Sequence, residues 1–173
     1  MPQVIRPALP ADAAAIGQIR VAAWQAAYTP FMPADYLAVL NPAANIESLR
    51  LKLENLSPHF YLALIEEAQE VAGFYLLGTP RFECPSHSAE LWALNIAPHA
   101  WRKGIGKRLV MDAIASARRF SYQNIVLWCI AGNLGARQLY EQCGFRVNGQ
   151  QKTDSQLTGH PLHEVCYALT LHF

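Results

Sequence analysis

The chain has 173 residues, 52% of them hydrophobic, and 14 Lys and Arg against 13 Asp and Glu give a net charge of +1. That is enough chain for one domain, residues 1–173, with a real core, and too little net charge to draw the whole protein toward nucleic acid or a membrane surface. Cys84, Cys129, Cys143 and Cys166 form neither a CxxC pair nor a dense framework. No apolar run approaches the ~18 residues needed to span a bilayer, and the N-terminus lacks a basic segment followed by an apolar core. A reduced, cytoplasmic setting with no membrane attachment is the expectation.

Val4 and Ile5 read as a short first strand stopped by Pro7. A helix follows from Ala11, with Ile16, Ile19, Ala23 and Ala27 at helical spacing, until Pro30 and Pro33 break it. A second helical piece spans Ala34 to Leu40. Asn41-Pro42 reads as a cap with proline at the first position of a further helix, whose buried stripe is Ile46, Leu49, Leu53 and Leu56. His59 to Ile65 and Val71 to Leu77 are rich in β-formers and flank a polar turn at Glu66 to Glu70, so they predict a hairpin.

Thr79 to Ser88 reads as a loop and Ala89 to Ala97 as a strand. The helix from about Arg102 to Phe120 carries Ile105, Leu109, Val110, Ala113, Ile114 and Ala117 on one face. Asn124 to Ile130 is nearly all apolar, which suits a central strand covered on both sides. Gly132-Asn133 leads into a helix to about Cys143. Gly144 suits the left-handed position that ends it, with Phe145 folding back as its apolar partner. Two closing strands lie near Phe145 to Gln151 and His163 to Leu171. The order is mixed α and β, with one β-α-β unit in the middle.

That unit holds the most informative stretch, Leu94-Asn95-Ile96-Ala97-Pro98 followed by Trp101-Arg102-Lys103-Gly104-Ile105-Gly106-Lys107-Arg108. A strand ends at a proline, and a basic, glycine-containing turn opens into an amphipathic helix. Free backbone N–H groups, a helix N-terminus and several cations meet there, which is how proteins bind phosphate. A P-loop needs a glycine where Trp101 stands and a hydroxyl where Arg108 stands. A dinucleotide fingerprint has its third glycine where Leu109 stands. Both patterns fail.

The same residues resemble the GNAT superfamily of N-acetyltransferases, whose turn reads Gln/Arg-x-x-Gly-x-Gly/Ala. Here Trp101 occupies the Gln/Arg position, and Gly104 and Gly106 match. The next segment is similar too: Asn133, Ala136, Tyr140 and Cys143-Gly144-Phe145 follow Asn-x-x-Ala-x-x-x-Tyr and Gly-Phe. The resemblance is strongest over Glu90 to Arg146. It implies an α+β fold with a mixed, mostly antiparallel sheet of about seven strands, splayed at the cofactor site and flanked by four or five helices. It also implies acetyl-CoA as acyl-donor cosubstrate, no metal, and direct acetyl transfer to a small-molecule or peptide amine. A non-catalytic acyl-CoA sensor would share the phosphate site.

By the same resemblance the amides and cations of Arg102, Lys103, Gly104, Ile105, Gly106 and Lys107 take the pyrophosphate. The backbone of Leu94, Asn95 and Ile96 takes the pantetheine arm as an added strand takes a peptide. Asn133 and Ala136 contact the cofactor, and Tyr140 protonates the leaving thiolate. Tyr140 on a helix face also suits a plain core position. Glu90 begins the strand whose residues Trp92, Leu94 and Ile96 are expected to share its face. It is either a base acting through water or a solvated residue at a strand start. Trp24 and Tyr28, four apart on the first helix, either pack in the core or line the amine pocket. Cys129 in a buried strand is a poor nucleophile. Cys84-x-x-His87 and His160-x-x-His163 converge on no metal set. The closing strands could pair across a homodimer.

Overall fold

The computed structural model describes residues 3–172. Seven strands run in chain order as β1 (Gln3–Pro7), β2 (Tyr61–Glu67), β3 (Glu70–Gly78), β4 (Ser88–Ile96), β5 (Asn124–Ile130), β6 (Arg146–Asp154) and β7 (Leu162–Thr170). Five helices accompany them: α1 (Ala13–Ala27), α2 (Ala34–Ala38), α3 (Ile46–Glu54), α4 (Ile105–Arg119) and α5 (Leu134–Gln142). The strands form one sheet in the order β1-β2-β3-β4-β5-β7-β6, with every pair antiparallel except β4 and β5. The mixed, mostly antiparallel seven-stranded architecture that the family resemblance implies is the one found. Among the described residues no helix is long and apolar enough to cross a membrane.

The core follows the sequence pattern most closely in α4. Ile105, Leu109, Val110, Ala113, Ile114 and Ala117 are all buried, packed against the central strands. β5 lies between β4 and β7 and buries Ile125, Val126 and Leu127 almost completely. The β2–β3 hairpin turns through Ala68 and Gln69, both at positive φ, as a tight hairpin connection requires.

β1 ends at Pro7, as expected; the proline is the last residue of an edge strand and sits opposite Ala63, where a missing N–H is tolerated. Three local expectations change. Asn41-Pro42 does not open a helix. The Asn41 side chain instead accepts from the Ala43 N–H at 2.9 Å, and α3 starts at Ile46 behind Asn45 in a left-handed conformation. Its stripe is shallower than expected: Ile46, Leu49 and Leu53 are half-buried, and Leu56 lies past the helix end and is exposed. Finally, α4 begins at Ile105, which leaves residues 102–104 as an irregular loop.

The sheet is not paired along its whole length. β4 and β5 share only Ser88–Asn124, Ala89–Ile125 and Glu90–Val126. Beyond that rung the strands diverge, and the β4 edge from Leu91 to Ile96 has no β5 partner. On its other side β4 pairs with β3, but Leu76 faces Ala93 while Leu77 faces Leu91. Trp92 is therefore an extra residue, a β-bulge, and bulges bend a strand and increase its twist.

Candidate functional site

The loop after β4 is built to leave amides free. Trp101 closes a short turn on Pro98, and its indole N–H donates to the Ile96 carbonyl at 2.8 Å, tying the loop to the end of β4. Arg102 then takes φ +60° and Gly104 φ +79°, conformations that turn the chain sharply into α4. Among the described residues the backbone N–H groups of Arg102, Lys103, Gly104, Ile105, Gly106 and Lys107 have no protein acceptor, and the first intrahelical-type bond is Arg108 N–H to Gly104 C=O at 3.1 Å. Six consecutive unpartnered donors at a helix N-terminus form an anion site whose dipole favours negative charge.

The two glycines do different jobs. A Cβ on Gly104 would meet nothing within 4 Å, so what requires glycine there is the backbone angle. A Cβ on Gly106 would sit 2.9 Å from Ile96 Cδ1 and 3.0 Å from Leu139 Cδ2. Gly106 therefore allows close packing of α4 on β4 and α5. Of the expected cations, Lys103 reaches Glu67 at 3.5 Å, while Arg102 and Lys107 are exposed.

On the other side of the diverging strands lies a cleft of about 550 Å3, floored by β4 and walled by α1 and α3. Leu94, Asn95 and Tyr140 line it from the cofactor side of the expected site, and Trp24 and Tyr28 from α1. Trp92, Trp128, Arg20, Asn45, Ser48 and Lys52 line it as well, and none of these was singled out from the sequence. Periodicity could not reveal them, because an aromatic or a cation at helical spacing looks the same facing solvent or a cleft. Ile96, residues 102–107, Asn133 and Ala136 lie outside it.

Tyr140 is positioned by the end of its own helix. Phe145 N–H donates to the Tyr140 carbonyl at 3.1 Å, and Gly144 N–H to Glu141 at 3.1 Å, with Gly144 at φ +97°. This is a Schellman motif, and its apolar contact is the edge-on pair of Phe145 with Tyr140, ring centres 5.9 Å apart. At the other end, the Asn133 side chain accepts from Ala136 N–H at 3.2 Å and caps α5. The Tyr140 ring is buried, and its hydroxyl makes no hydrogen bond to the described residues, although no fully buried polar atom lacks a partner. That hydroxyl thus opens to the cleft. Burial, with a smaller contribution from Cys129, pushes its pKa well above the usual phenol value. Burial likewise lifts Tyr28 to about 12 and Cys129 to about 12, so the latter stays a thiol.

Glu90 sits differently from the expectation. The bulged Trp92 shifts the alternation of β4 by one, so Glu90 does not share a face with Leu94 and Ile96. It is 1% exposed and does not line the cleft. Its Oε2 accepts from the Arg81 N–H at 2.9 Å and its Oε1 from Arg81 Nη2 at 2.5 Å. The Arg81 guanidinium also stacks on Trp92, 4.1 Å from the ring centre. A buried carboxylate at the last shared rung is thus held by one arginine. Among the described residues no group of three or more His, Cys, Asp or Glu could hold a metal.

Residues 19–145 match the family model described as Acetyltransferase (GNAT) family. The Bacillus subtilis protein named Uncharacterized N-acetyltransferase YvbK is 31% identical over 78 residues, 45% of this chain and 48% of that protein, so the match spans about half of that relative's length. The Mycobacterium tuberculosis protein named Probable N-acetyltransferase Rv2775 is 26% identical over 171 residues, 95% of this chain and 92% of that one. Among solved structures, the PaiA N-acetyltransferase of Thermoplasma acidophilum in complex with coenzyme A has a TM-score of 0.77 at 18% identity, covering 99% of this chain and 100% of the other. That last likeness is one of fold.

Gly144→Ala tests the link between the helix end and Tyr140. Forcing an alanine into the left-handed region costs about 1–2 kcal/mol, which lowers Tm by about 2–4 °C per kcal/mol for a domain of this size. Thermal unfolding followed by near-UV circular dichroism should show both the lower Tm and an altered tyrosine signal. An unchanged Tm would mean that Gly144 is not needed there.

Proposed function

This chain belongs to the acetyltransferase (GNAT) family, and from that premise we propose that it moves an acetyl group from acetyl-CoA to a primary amine by direct attack. The observation that carries the proposal is the run of six unpartnered amides from Arg102 to Lys107 beside a β4 edge left open by β5. The pyrophosphate of coenzyme A suits the amides and the exposed side chains of Arg102, Lys103 and Lys107. The amide-rich pantetheine arm suits the open strand edge at Leu94, Asn95 and Ile96, leading the thioester toward Tyr140. Asn133 and Ala136, at the first turn of α5, border that path. The fold neighbour from Thermoplasma acidophilum was solved with coenzyme A bound, which supports the same cosubstrate here.

In this reading a neutral amine enters from the side of Trp24 and Tyr28 and attacks the thioester carbonyl. A C–N bond forms, and the tetrahedral intermediate collapses with cleavage of the C–S bond. The leaving thiolate takes the Tyr140 proton. The ammonium proton of the product leaves to water, and Tyr140 recovers its proton from solvent in the cleft. Burial raises the phenol's pKa, which extends the range over which it carries a proton to donate. It also makes the transfer more uphill, an effect offset because a thiolate expelled into the same dry site is itself a stronger base. Glu90, held by Arg81, is not used as the base. Among the described residues lining the cleft there is no carboxylate or imidazole, so solvent is the base.

Release of free thiol from acetyl-CoA with a panel of amines tests the activity. Binding of coenzyme A without turnover of any amine would favour an acyl-CoA sensor instead. Tyr140→Phe should lower kcat by on the order of 10²–10⁴ while leaving calorimetric binding of coenzyme A intact; a fully active variant would remove Tyr140 from the mechanism.

Gly104→Asp should abolish calorimetric binding of coenzyme A. Aspartate tolerates the left-handed backbone better than most residues, so the loss would come mainly from a carboxylate placed in an anion site.

The pH dependence follows from the lining. With Tyr140 protonated throughout the physiological range, kcat/KM should rise with unit slope up to the pKa of the amine acceptor. It should move with that pKa from one acceptor to the next. A limb fixed near pH 6–7 for every amine would reveal an enzyme base.

A further inference from the structure

The charge lining the acceptor side of the cleft is all of one sign. Arg20 on α1 and Lys52 on α3 both line it, and neither makes an ion pair with the described residues. On α3 both acids turn to Arg50, Glu47 at 2.6 Å and Glu54 as well, so Lys52 makes no ion pair among the described residues and its ammonium is left to the cleft, although the helix as a whole is neutral. Arg20 lies with its guanidinium carbon 5.9 Å from the Trp24 ring centre, so it borders the aromatic wall. The loop that leads into α3 lies close against α1 because residue 17 is glycine: a Cβ there would stand 2.8 Å from the Pro42 carbonyl oxygen. Asn45 and Ser48 add neutral hydrogen-bonding groups beside Lys52, and Trp24, Trp92 and Trp128 supply flat apolar surface.

Resting on the acetyltransferase reading above, we propose that the acceptor is a small amine that also carries a carboxylate, held by Arg20 and Lys52 with its apolar body against the tryptophans. Three physical arguments converge on it. A carboxylate entering the cleft gains two charge-assisted partners and meets no like charge among the lining residues. A cleft of about 550 Å3 has the size of a small-molecule site. Two nearby cations also disfavour the protonated form of the acceptor's amine and lower its pKa. The site would thereby release the nucleophile without a protein base, and it would repel acceptors carrying several positive charges.

The test compares three amines of one shape: phenylalanine, phenylalaninamide and phenethylamine, each with acetyl-CoA. Compared at a pH above the amine pKa of all three, the expected result is a kcat/KM at least about 10-fold higher for the acid than for the amide, since a hydrogen bond to a charged group is worth that much or more. In Arg20→Gln and Lys52→Gln that ratio should fall by about the same factor, with the rise confined to the KM of the acceptor. Equal use of acid and amide by the wild type would overturn the proposal. So would a matching rise in the KM for acetyl-CoA, which would place both cations on the cofactor. Calorimetric titration of phenylalanine into the coenzyme A-loaded protein separates this inference from the activity. Carboxylate-dependent binding that both variants lose would support the subsite even with no turnover, a result that would overturn only the catalytic reading. No such binding and no turnover would overturn both.

Discussion

Two parallel strands that share three rungs and then part leave backbone groups that something else must satisfy. The rest of the site is organised around that constraint. The bulge at Trp92 bends β4 just past the last rung. Glu90 occupies that rung, buried, with Arg81 bonded to both its oxygens and stacked on Trp92. Bulge, carboxylate and arginine thus sit together at the vertex where the sheet opens. The amide-bearing arm proposed for the open edge would restore the missing ladder without adding protein.

The elements on either side of the vertex bring two kinds of chemistry to it. The loop from Trp101 to Gly104 uses two left-handed residues and one indole hydrogen bond to present six donors at the start of α4. Such strained backbone is tolerated because α4 itself is anchored by Ile105 and Leu109, both almost wholly buried. From α5 comes a single phenol. Its placement depends on the helix ending one residue short of a left-handed glycine, with Phe145 locked under the ring. The free amides and the proposed proton donor are therefore both products of helix termini, one an N-terminus and one a C-terminus.

The acceptor side is built by different means. Side chains define it: α1 and α3 supply Trp24, Tyr28, Arg20 and Lys52, and β4 and β5 supply Trp92 and Trp128. The two sides thus rest on different parts of the chain: backbone amides at the start of α4, and side chains on helices and strands around the cleft.

The sequence by itself determined the mixed architecture, the strand–loop–helix that offers free amides, the α4 core face and the glycine that closes α5. All of these depend on neighbours within a turn or two, through periodicity, proline and glycine chemistry and capping. The family resemblance carried by its motifs also pointed to Tyr140, Leu94 and Asn95, which the structure brings to one cleft. What only the tertiary structure decided depends on register between distant strands and on helix apposition. One extra residue at Trp92 reverses the face of Glu90 relative to Leu94, and nothing local to residues 90–94 announces it, because a bulge is defined by what β3 places opposite. The partnership of Glu90 with Arg81, the packing role of Gly106 against Leu139, and the convergence of Arg20, Lys52, Trp92 and Trp128 on one space likewise exist only once separate elements are packed together.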